Sequence, residues 1–375
     1  MRIGIDARFY GPTRTGPGRY TQKLVDYLQE IDDENEYVVF LRKDNWNEFQ
    51  PKNNHFRKVL ADYRWYSLTE QLFLPWKIKK EKVDLMHFPH FNIPIFYPGK
   101  FIVTIHDLII THFPTRRATK LGPLLYKAKQ IGYKIVIWLA AKKAKRIITV
   151  SQFSKQEIVK HFKLKDEKVV VTYEACDPPK QVGGTFTNIA ERFKITKPYL
   201  LYVGNTYPHK NLERLVYAFR KLRNEEKIDV QLVLVGKRDY FSERLEILVN
   251  EQGMKRDVIF PGFVKDEELP LFYRSALLYV FPSSIEGFGL PPLEAMSYDL
   301  PVVSSNAPCM PEILGEAAKY FHPDEISDIV QVVKQVIQDK QMRENLREKG
   351  REHIKKFSWR KMVEKTHSIY VRELF

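Results

Sequence analysis

A segment that combines glycines, prolines and acidic residues, SSIEGFGLPPLEAM, covers Ser283–Met296. It follows the apolar run Leu278–Phe281, which is typical of a buried strand. Proline is favoured in the first helical turn, so a helix is predicted to begin near Pro291 or Pro292. Glycines let backbone amides approach a ligand, and a helix N-terminus favours an anion. The segment therefore predicts a site for an anion such as a diphosphate, formed by Gly287, Phe288, Gly289 and Leu290.

Two carboxylates accompany this turn. Glu286 lies in the predicted loop and Glu294 one turn into the predicted helix. Ionised carboxylates accept hydrogen bonds well, so both can bind hydroxyl groups of one ligand. The alternatives are a solvated loop acid for Glu286 and simple stabilisation of the helix dipole for Glu294.

A lysine follows another apolar run in VGNTYPHKN, Val203–Asn211. The predicted strand ends at Gly204, and a helix is expected to begin near Asn211. Lys210 can then reach a phosphate as a point charge. A solvated surface lysine is the alternative. We include Gly204 and Asn205 in the same ligand-binding set.

Two weaker candidates lie in the first half of the chain. The glycine-rich segment after the first apolar run can admit phosphate near Gly16 and Gly18, although Thr21 stands where a dinucleotide fingerprint needs its third glycine. His106, at the end of another apolar run, can bind a hydroxyl group or move a proton. A simple turn and an ordinary core or surface histidine are the alternatives.

The elements that must position these residues alternate between short β-rich runs and amphipathic stretches, which favours βαβ units and parallel sheets. Two series of strands are predicted: 3–6, 37–41, 84–88, 101–105, 146–150 and 169–172, then 199–203, 230–235, 258–260, 278–281, 301–304 and 319–321. The fold class is therefore α/β, with two Rossmann-like domains. Ligands of such sheets bind outside the carboxyl ends of the strands, so we expect the domains to face each other across a cleft.

The domain boundary is predicted in Asp177–Asn188, whose composition suits a connector. The first domain then covers 1–178 and the second 188–358. The amphipathic segment 359–375 is free to pack back on the first domain.

Composition and charge restrict the class of protein. Up to Thr185, 32 Lys and Arg stand against 19 Asp and Glu, so most of the net charge of +15 lies in the first half. This bias indicates an anionic partner or simply a lysine-rich surface. No nucleic-acid motif accompanies the charge, and no nucleic-acid partner is expected. The segment 115–146 interleaves Lys and Arg with apolar residues and is expected to contact an anionic membrane surface, with a helix packed on its own sheet as the alternative.

Several motifs are absent from the sequence. The N-terminus does not resemble a signal peptide, and the longest apolar run, Ile135–Ala141, is shorter than the about 18 residues of a membrane span. The two cysteines are far apart and fit a reducing compartment. We therefore expect a cytoplasmic protein, peripheral on the inner face of the membrane.

No Walker A loop, nucleophile elbow or metal-ligand pair is present, so neither a metal nor a cofactor is expected.

Taken together, these motifs resemble the retaining family 4 glycosyltransferases of the two-Rossmann-domain (GT-B) type, and in particular the mannosyltransferase B-like branch. The resemblance covers nearly the whole chain and is carried by IGIDARF, TGPGRY, HDLIITHFP, ITVSQFSKQEI and EGFGLPPLEA. It implies transfer of a sugar, mannose from GDP-mannose in this branch, to a glycan or lipid-linked acceptor of surface polysaccharide. UDP-linked sugars are the alternative donors.

The resemblance also implies roles for the candidate residues. Glu286 and His106 contact the donor sugar, the amides of 287–290 the sugar and diphosphate, and Glu294 the ribose. Lys210 binds the diphosphate, with Gly16 and Gly18 facing it from the first domain. Many family members carry Arg where Asn205 stands, which leaves Lys210 as the principal phosphate-binding cation. An epimerase or phosphorylase on the same fold, or a protein that only binds a nucleotide sugar or nucleic acid, are the competing interpretations.

Overall fold

The computed structural model describes residues 1–11, 15–113 and 123–374, which divide into two compact units. The N-terminal domain contains the residues up to 113, 123–174 and the C-terminal residues from Ser358. The C-terminal domain contains Ala175–Phe357. The division after Glu174 falls a few residues before the connector expected from composition.

The N-terminal domain is built on a seven-stranded parallel sheet, in the order β3-β2-β1-β4-β5-β6-β7. Its strands are β1 Arg2–Asp6, β2 Glu36–Leu41, β3 Phe56–Leu60, β4 Leu85–Phe88, β5 Phe101–Thr104, β6 Ile147–Thr149 and β7 Val169–Val171. Its helices are α1 Thr15–Ile31, α2 Leu68–Lys80, α3 Ile109–His112, α4 Pro123–Lys143 and α5 Gln152–Phe162. The central strands are buried except for Arg2 at the start of β1, as expected for a parallel sheet covered by helices.

The C-terminal domain repeats this plan with six parallel strands in the order β10-β9-β8-β11-β12-β13. These are β8 Tyr199–Val203, β9 Gln231–Val235, β10 Val258–Gly262, β11 Leu278–Phe281, β12 Val302–Ser305 and β13 Ala318–Phe321. Its helices are α6 Phe186–Phe193, α7 Leu212–Asn224, α8 Tyr240–Glu251, α9 Leu269–Ser275, α10 Leu290–Ser297, α11 Met310–Leu314, α12 Ile326–Gln338 and α13 Lys340–Ile354.

Both sheets contain a point at which the strand order reverses, between β1 and β4 in one domain and between β8 and β11 in the other. Loops on the two sides of such a switch point diverge and leave a crevice at the carboxyl ends of the strands. The two Rossmann-like domains predicted from sequence are confirmed, and each offers its own crevice.

The last helix, α14 Trp359–Leu374, belongs to the N-terminal domain. It packs on α1, its Tyr370 hydroxyl lies 2.5 Å from His87 Nδ1 and Arg146 Nε donates to Glu373 Oε1 over 2.7 Å. Within the described part of the chain, no helix is long and apolar enough to cross a membrane.

Two details differ from the sequence analysis. Strand β3 was not predicted, because its sequence FRKVL contains two adjacent basic residues and only its Phe56 and Val59 are buried. This is typical of an edge strand, which shows a weaker apolar pattern than a central one. The expected connector is also shorter, since Phe186 already begins helix α6. The twelve predicted strands are present, with ends shifted by at most one or two residues.

Candidate active site

Lys210 and Glu286 meet at the switch point of the C-terminal domain. Lys210 follows β8 and Glu286 follows β11, the two strands between which the order reverses. Lys210 Nζ lies 2.5 Å from Glu286 Oε1, and the two side chains are only 15% and 9% exposed. Lys210 Nζ also lies 5.9 Å from the centroid of the Phe281 ring. A cation and a carboxylate separated by 76 residues are thus brought into one mostly buried pair.

The backbone around Lys210 is fixed by Asn211. Lys210 ends a short 3-10 turn, and Asn211 adopts a left-handed conformation (φ 59°) before α7 begins. The buried Asn211 amide donates to the carbonyls of Pro282, over 3.1 Å, and Pro323, over 2.7 Å. The Ser284 amide in turn donates to the His209 carbonyl over 2.8 Å. These bonds join the Lys210 loop to the Glu286 loop.

Ser305 and Phe357 contact the loop that carries Glu286 and stabilise it. Ser305 Oγ donates to the Ser283 carbonyl over 2.5 Å, and the ring of the buried Phe288 packs edge to face on Phe357. Burial raises the pKa of the Cys309 thiol beneath this loop well above its usual value, with a further contribution from Glu286. The thiol is therefore neutral and packs as an apolar group.

Helix α10 begins at Leu290, as the two prolines predict, and Gly289 caps it with φ 91°. The positive φ of Gly289 favours glycine here, and a Cβ would lie 2.6 Å from Met310 Cε, so the end of the Met310 side chain would have to shift. Pro291 and Pro292 carry no N–H, so the Leu290 amide and the dipole of the helix are what this helix start offers to an anion. Glu294 lies within α10 and accepts a hydrogen bond from the Tyr273 hydroxyl over 3.2 Å.

The other predicted residues of this domain lie at the end of β8. The Asn205 carbonyl accepts a hydrogen bond from Tyr202 over 2.8 Å, and its side-chain oxygen accepts one from the Tyr207 amide over 3.3 Å. Gly204 borders a small recess at the carboxyl ends of β8, β9 and β10, which Gly236 and Arg238 also line. Sequence reasoning missed these last two residues, although Gly236 follows the apolar run of β9 as Gly204 follows that of β8.

The N-terminal domain contains the remaining predicted residues. Gly16 and Gly18 lie in the first turn of α1 rather than in a glycine-rich loop, and residues 12–14 lie outside the described part. The glycine-rich segment is thus the start of a helix and not a simple turn, because Pro17 between the glycines is compatible with a first helical turn. Tyr20 of the same helix packs edge to face on His106, with ring centroids 4.9 Å apart.

His106 follows β5 and is paired with an acid. Its Nδ1 lies 3.3 Å from Glu174 Oε1, and its Nε2 lies 3.1 Å from the Pro89 carbonyl. Burial lowers the pKa of His106, but the hydrogen bond and the charge of Glu174 outweigh it, so the pKa is raised above its ordinary value. The two contacts fix the orientation of the imidazole. The raised pKa favours its protonated form.

A buried charged network beside β1 was not predicted. The fully buried Arg8 donates to Asp6 and to Glu70, each over 2.7 Å, and the Asn92 amide donates to Glu70 over 2.7 Å. The signal in the sequence is Asp6 and Arg8, two residues apart at the end of the first strand, within IGIDARF. The network joins the segment after β1 to helix α2 and to the loop after β4.

Among residues 1–11, 15–113 and 123–374, no group of three or more His, Cys, Asp or Glu side chains is arranged to hold a metal ion. Of the residues predicted from the sequence, Lys210 supplies a positive charge and the start of α10 supplies an anion-favouring helix terminus.

Two family models match the chain, and together they cover most of it. "Glycosyltransferase Family 4" matches residues 14–179, and "Glycosyl transferases group 1" matches residues 186–353. The chain therefore belongs to the glycosyltransferases of family 4, with the GT-B type of fold.

Within this class the chain is similar to mannosyltransferases. It is 29% identical to O-antigen chain mannosyltransferase B of Escherichia coli, over 95% of this chain and 96% of that protein. It is 26% identical to O-antigen chain mannosyltransferase RfbU of Salmonella typhimurium, over 88% and 89% of the two chains. Sucrose-phosphate synthase from Thermosynechococcus elongatus has a similar fold, with a TM-score of 0.76, 19% identity and coverage of 99% and 98%.

Proposed function

We propose that this glycosyltransferase moves mannose from GDP-mannose to a glycan or lipid-linked acceptor of surface polysaccharide, with retention of the anomeric configuration. The observation that carries the proposal is the Lys210–Glu286 pair at the switch point, beside the anion-favouring start of α10. The choice of mannose is supported by the similarity to O-antigen chain mannosyltransferase B along almost the whole of both chains.

The proposed donor site divides the work among the residues around the pair. Lys210 stabilises the negative charge that grows on the diphosphate as the sugar bond breaks. The amides of Gly287–Leu290 bind the diphosphate, and Glu286 accepts hydrogen bonds from the sugar hydroxyls. Glu294 accepts hydrogen bonds from the ribose. No metal is required, because these groups supply positive charge at the phosphates.

Retention is proposed to follow a front-face route. The bond between the anomeric carbon and the phosphate oxygen breaks, and the acceptor oxygen forms its bond on the same face. The proton of the acceptor hydroxyl passes to the departing phosphate oxygen. Glu286 then acts on the sugar hydroxyls and needs no covalent bond to the sugar.

Residues of the N-terminal domain complete the proposal. His106 is proposed to contact the donor sugar, with Glu174 fixing the orientation of its ring. Gly16 and Gly18 are proposed to approach the diphosphate through the first turn of α1. We also propose peripheral contact with the inner face of the membrane through 115–146, where the described helix α4 carries exposed Lys residues.

The test is incubation with GDP-mannose, a lipid-linked acceptor and EDTA, followed by measurement of the one-bond carbon–proton coupling at the anomeric carbon of the product. An α-linked mannoside formed in EDTA is the expected result. An inverted product would refute the mechanism, and turnover of UDP-sugars alone would refute the donor. Conversion of GDP-mannose without acceptor product indicates an epimerase, and binding without turnover indicates a binding protein.

A further inference from the structure

Helix α2 exposes large apolar side chains on the side that faces away from the sheet. Leu74 and Ile78 are completely buried and belong to the core of the N-terminal domain. On the opposite side, Leu68, Leu72, Phe73 and Trp76 have 81%, 61%, 52% and 63% of their surface exposed. The spacing of 68, 72 and 76 aligns three of them along one ridge of the helix. A contiguous apolar ridge in water marks an interaction surface.

Helix α4 has the same organisation. Its Ile137 and Ala140 belong to the same core cluster as the buried side of α2, so the two helices cover the same face of the sheet. On its outer side, Ile131, Ile135 and Trp138 are 58%, 47% and 51% exposed.

The segment 91–97 connects the two helices. The Gln71 side chain of α2 bonds to the Ile93 carbonyl over 3.3 Å and to the Ile95 amide over 2.7 Å. The Lys143 side chain of α4 donates to the Ile95 carbonyl over 3.2 Å. Phe96, in the same segment, is 63% exposed. We name these exposed apolar residues of α2, Phe96 and α4 the two-helix surface.

The charge around the two-helix surface is positive. Segment 115–146 contains ten Lys and Arg and no Asp or Glu. In its described part, the exposed Lys127, Lys134 and Lys142 alternate with the apolar residues of α4. The last turn of α2 adds three more lysines, of which Lys80 lies with its Nζ 5.8 Å from the Trp76 ring centroid. Apolar residues and tryptophans interleaved with lysines are the pattern of helices that lie in the interface of an anionic bilayer.

We propose that the two-helix surface docks the N-terminal domain on an anionic lipid bilayer, with α2 as a membrane element equal in importance to α4. This extends the proposed membrane contact of 115–146 to a helix outside that segment, and its use with a lipid-linked acceptor rests on the proposed function. Leu72, Trp76 and Trp138 enter the headgroup region, and the lysines contact acidic headgroups.

The experiment measures sedimentation of the full chain with vesicles of phosphatidylcholine, with and without phosphatidylglycerol, at low and high salt. We expect binding that requires phosphatidylglycerol and weakens with salt. The double variant Leu72→Ser/Trp76→Ser is expected to bind at least about tenfold more weakly, because two apolar side chains no longer leave water. Ile247→Ser is the matched control, since Ile247 is 56% exposed on α8 of the other domain, and it is expected to bind as wild type.

A second measurement reports the depth of α2 directly. Brominated lipid is expected to quench the tryptophan fluorescence of the protein, and Trp76→Phe is expected to keep vesicle binding while losing part of the quenching. The charge variant Lys79→Glu/Lys80→Glu changes two exposed side chains. If it loses vesicle binding while its melting temperature is unchanged, misfolding is excluded as the cause of the loss.

Wild-type binding by the α2 variants would overturn the proposal, and so would vesicle binding that does not depend on acidic lipid. A dimer in sedimentation velocity that Leu72→Ser/Trp76→Ser dissociates would assign the surface to a second copy of the chain instead. Turnover of a water-soluble acceptor distinguishes the docking proposal from the proposed function. We expect the α2 variants to retain this turnover. A chain that binds vesicles but never transfers sugar would refute only the proposed function.

Discussion

Replacing Lys210 by Ala removes the cation of the pair at the switch point and leaves Glu286 in place. The gross attraction across 2.5 Å is about 7 kcal/mol at an effective dielectric constant of about 20. Desolvation of both groups offsets most of it. The Glu286 side chain remains, only 9% exposed, without its cation. We expect a net loss of about 1–3 kcal/mol in the free energy of unfolding.

The expected loss of activity is larger than this loss of stability. A charge aimed at the phosphate oxygens acts mainly in the transition state, and loss of such a contact costs about 100- to 1,000-fold in kcat. Stability changes of about 1–3 kcal/mol lower the melting temperature of a domain of this size by about 2–12 °C. Lys210→Ala is therefore expected to remain folded at the assay temperature and to be nearly inactive.

The assay combines kcat from donor turnover with the melting temperature of each variant. Lys334→Ala is the control, because it removes the lysine of another Lys–Glu pair, with Glu226, in the same domain. Adding Glu286→Gln to Lys210→Ala is expected to restore part of the stability and none of the activity. Activity of Lys210→Ala within a few-fold of wild type would refute the reasoning.

Three further predictions concern the neighbouring residues. Glu294→Gln is expected to weaken binding of the free nucleoside diphosphate while Glu286→Gln mainly lowers kcat, and equal losses of affinity in calorimetry would contradict this division. Gly289→Ala is expected to cost about 1–3 kcal/mol of stability through its positive φ, measured by urea unfolding, and no change in the midpoint would count against it. Because the pKa of His106 is raised in the folded protein, its pair with Glu174 stabilises the fold. This stabilisation is fully present below the pKa of the unfolded state, about 6.5, and is lost as the pH rises through the pKa of the folded state. Glu174→Gln is expected to lower that pKa in an NMR titration, and an unchanged titration would refute the pairing.

The sequence predicted the local elements well because their causes are local. Short runs of three to six residues marked twelve strands, and two prolines marked the start of α10. Strand β3 escaped because an edge strand buries only part of its side chains and two of its residues are basic. The first turn of α1 was not predicted because glycines such as Gly16 and Gly18 usually indicate turns and disfavour helices.

The sequence by itself determined which residue types follow which strands, since a motif such as EGFGLPPLEA carries its own turn and helix start. It also determined the two-domain organisation, since each half shows its own alternation of strands and helices. Neither the strand order nor the partners of each side chain are local properties. Only the tertiary structure decided that β8 and β11 are neighbours, and this adjacency is what brings Lys210 to Glu286. The same holds for Asn211, whose side-chain amide donates to carbonyls 71 and 112 residues away in the chain. It also holds for the exposed ridge of α2, because the burial of a helix face depends on what the fold packs against it.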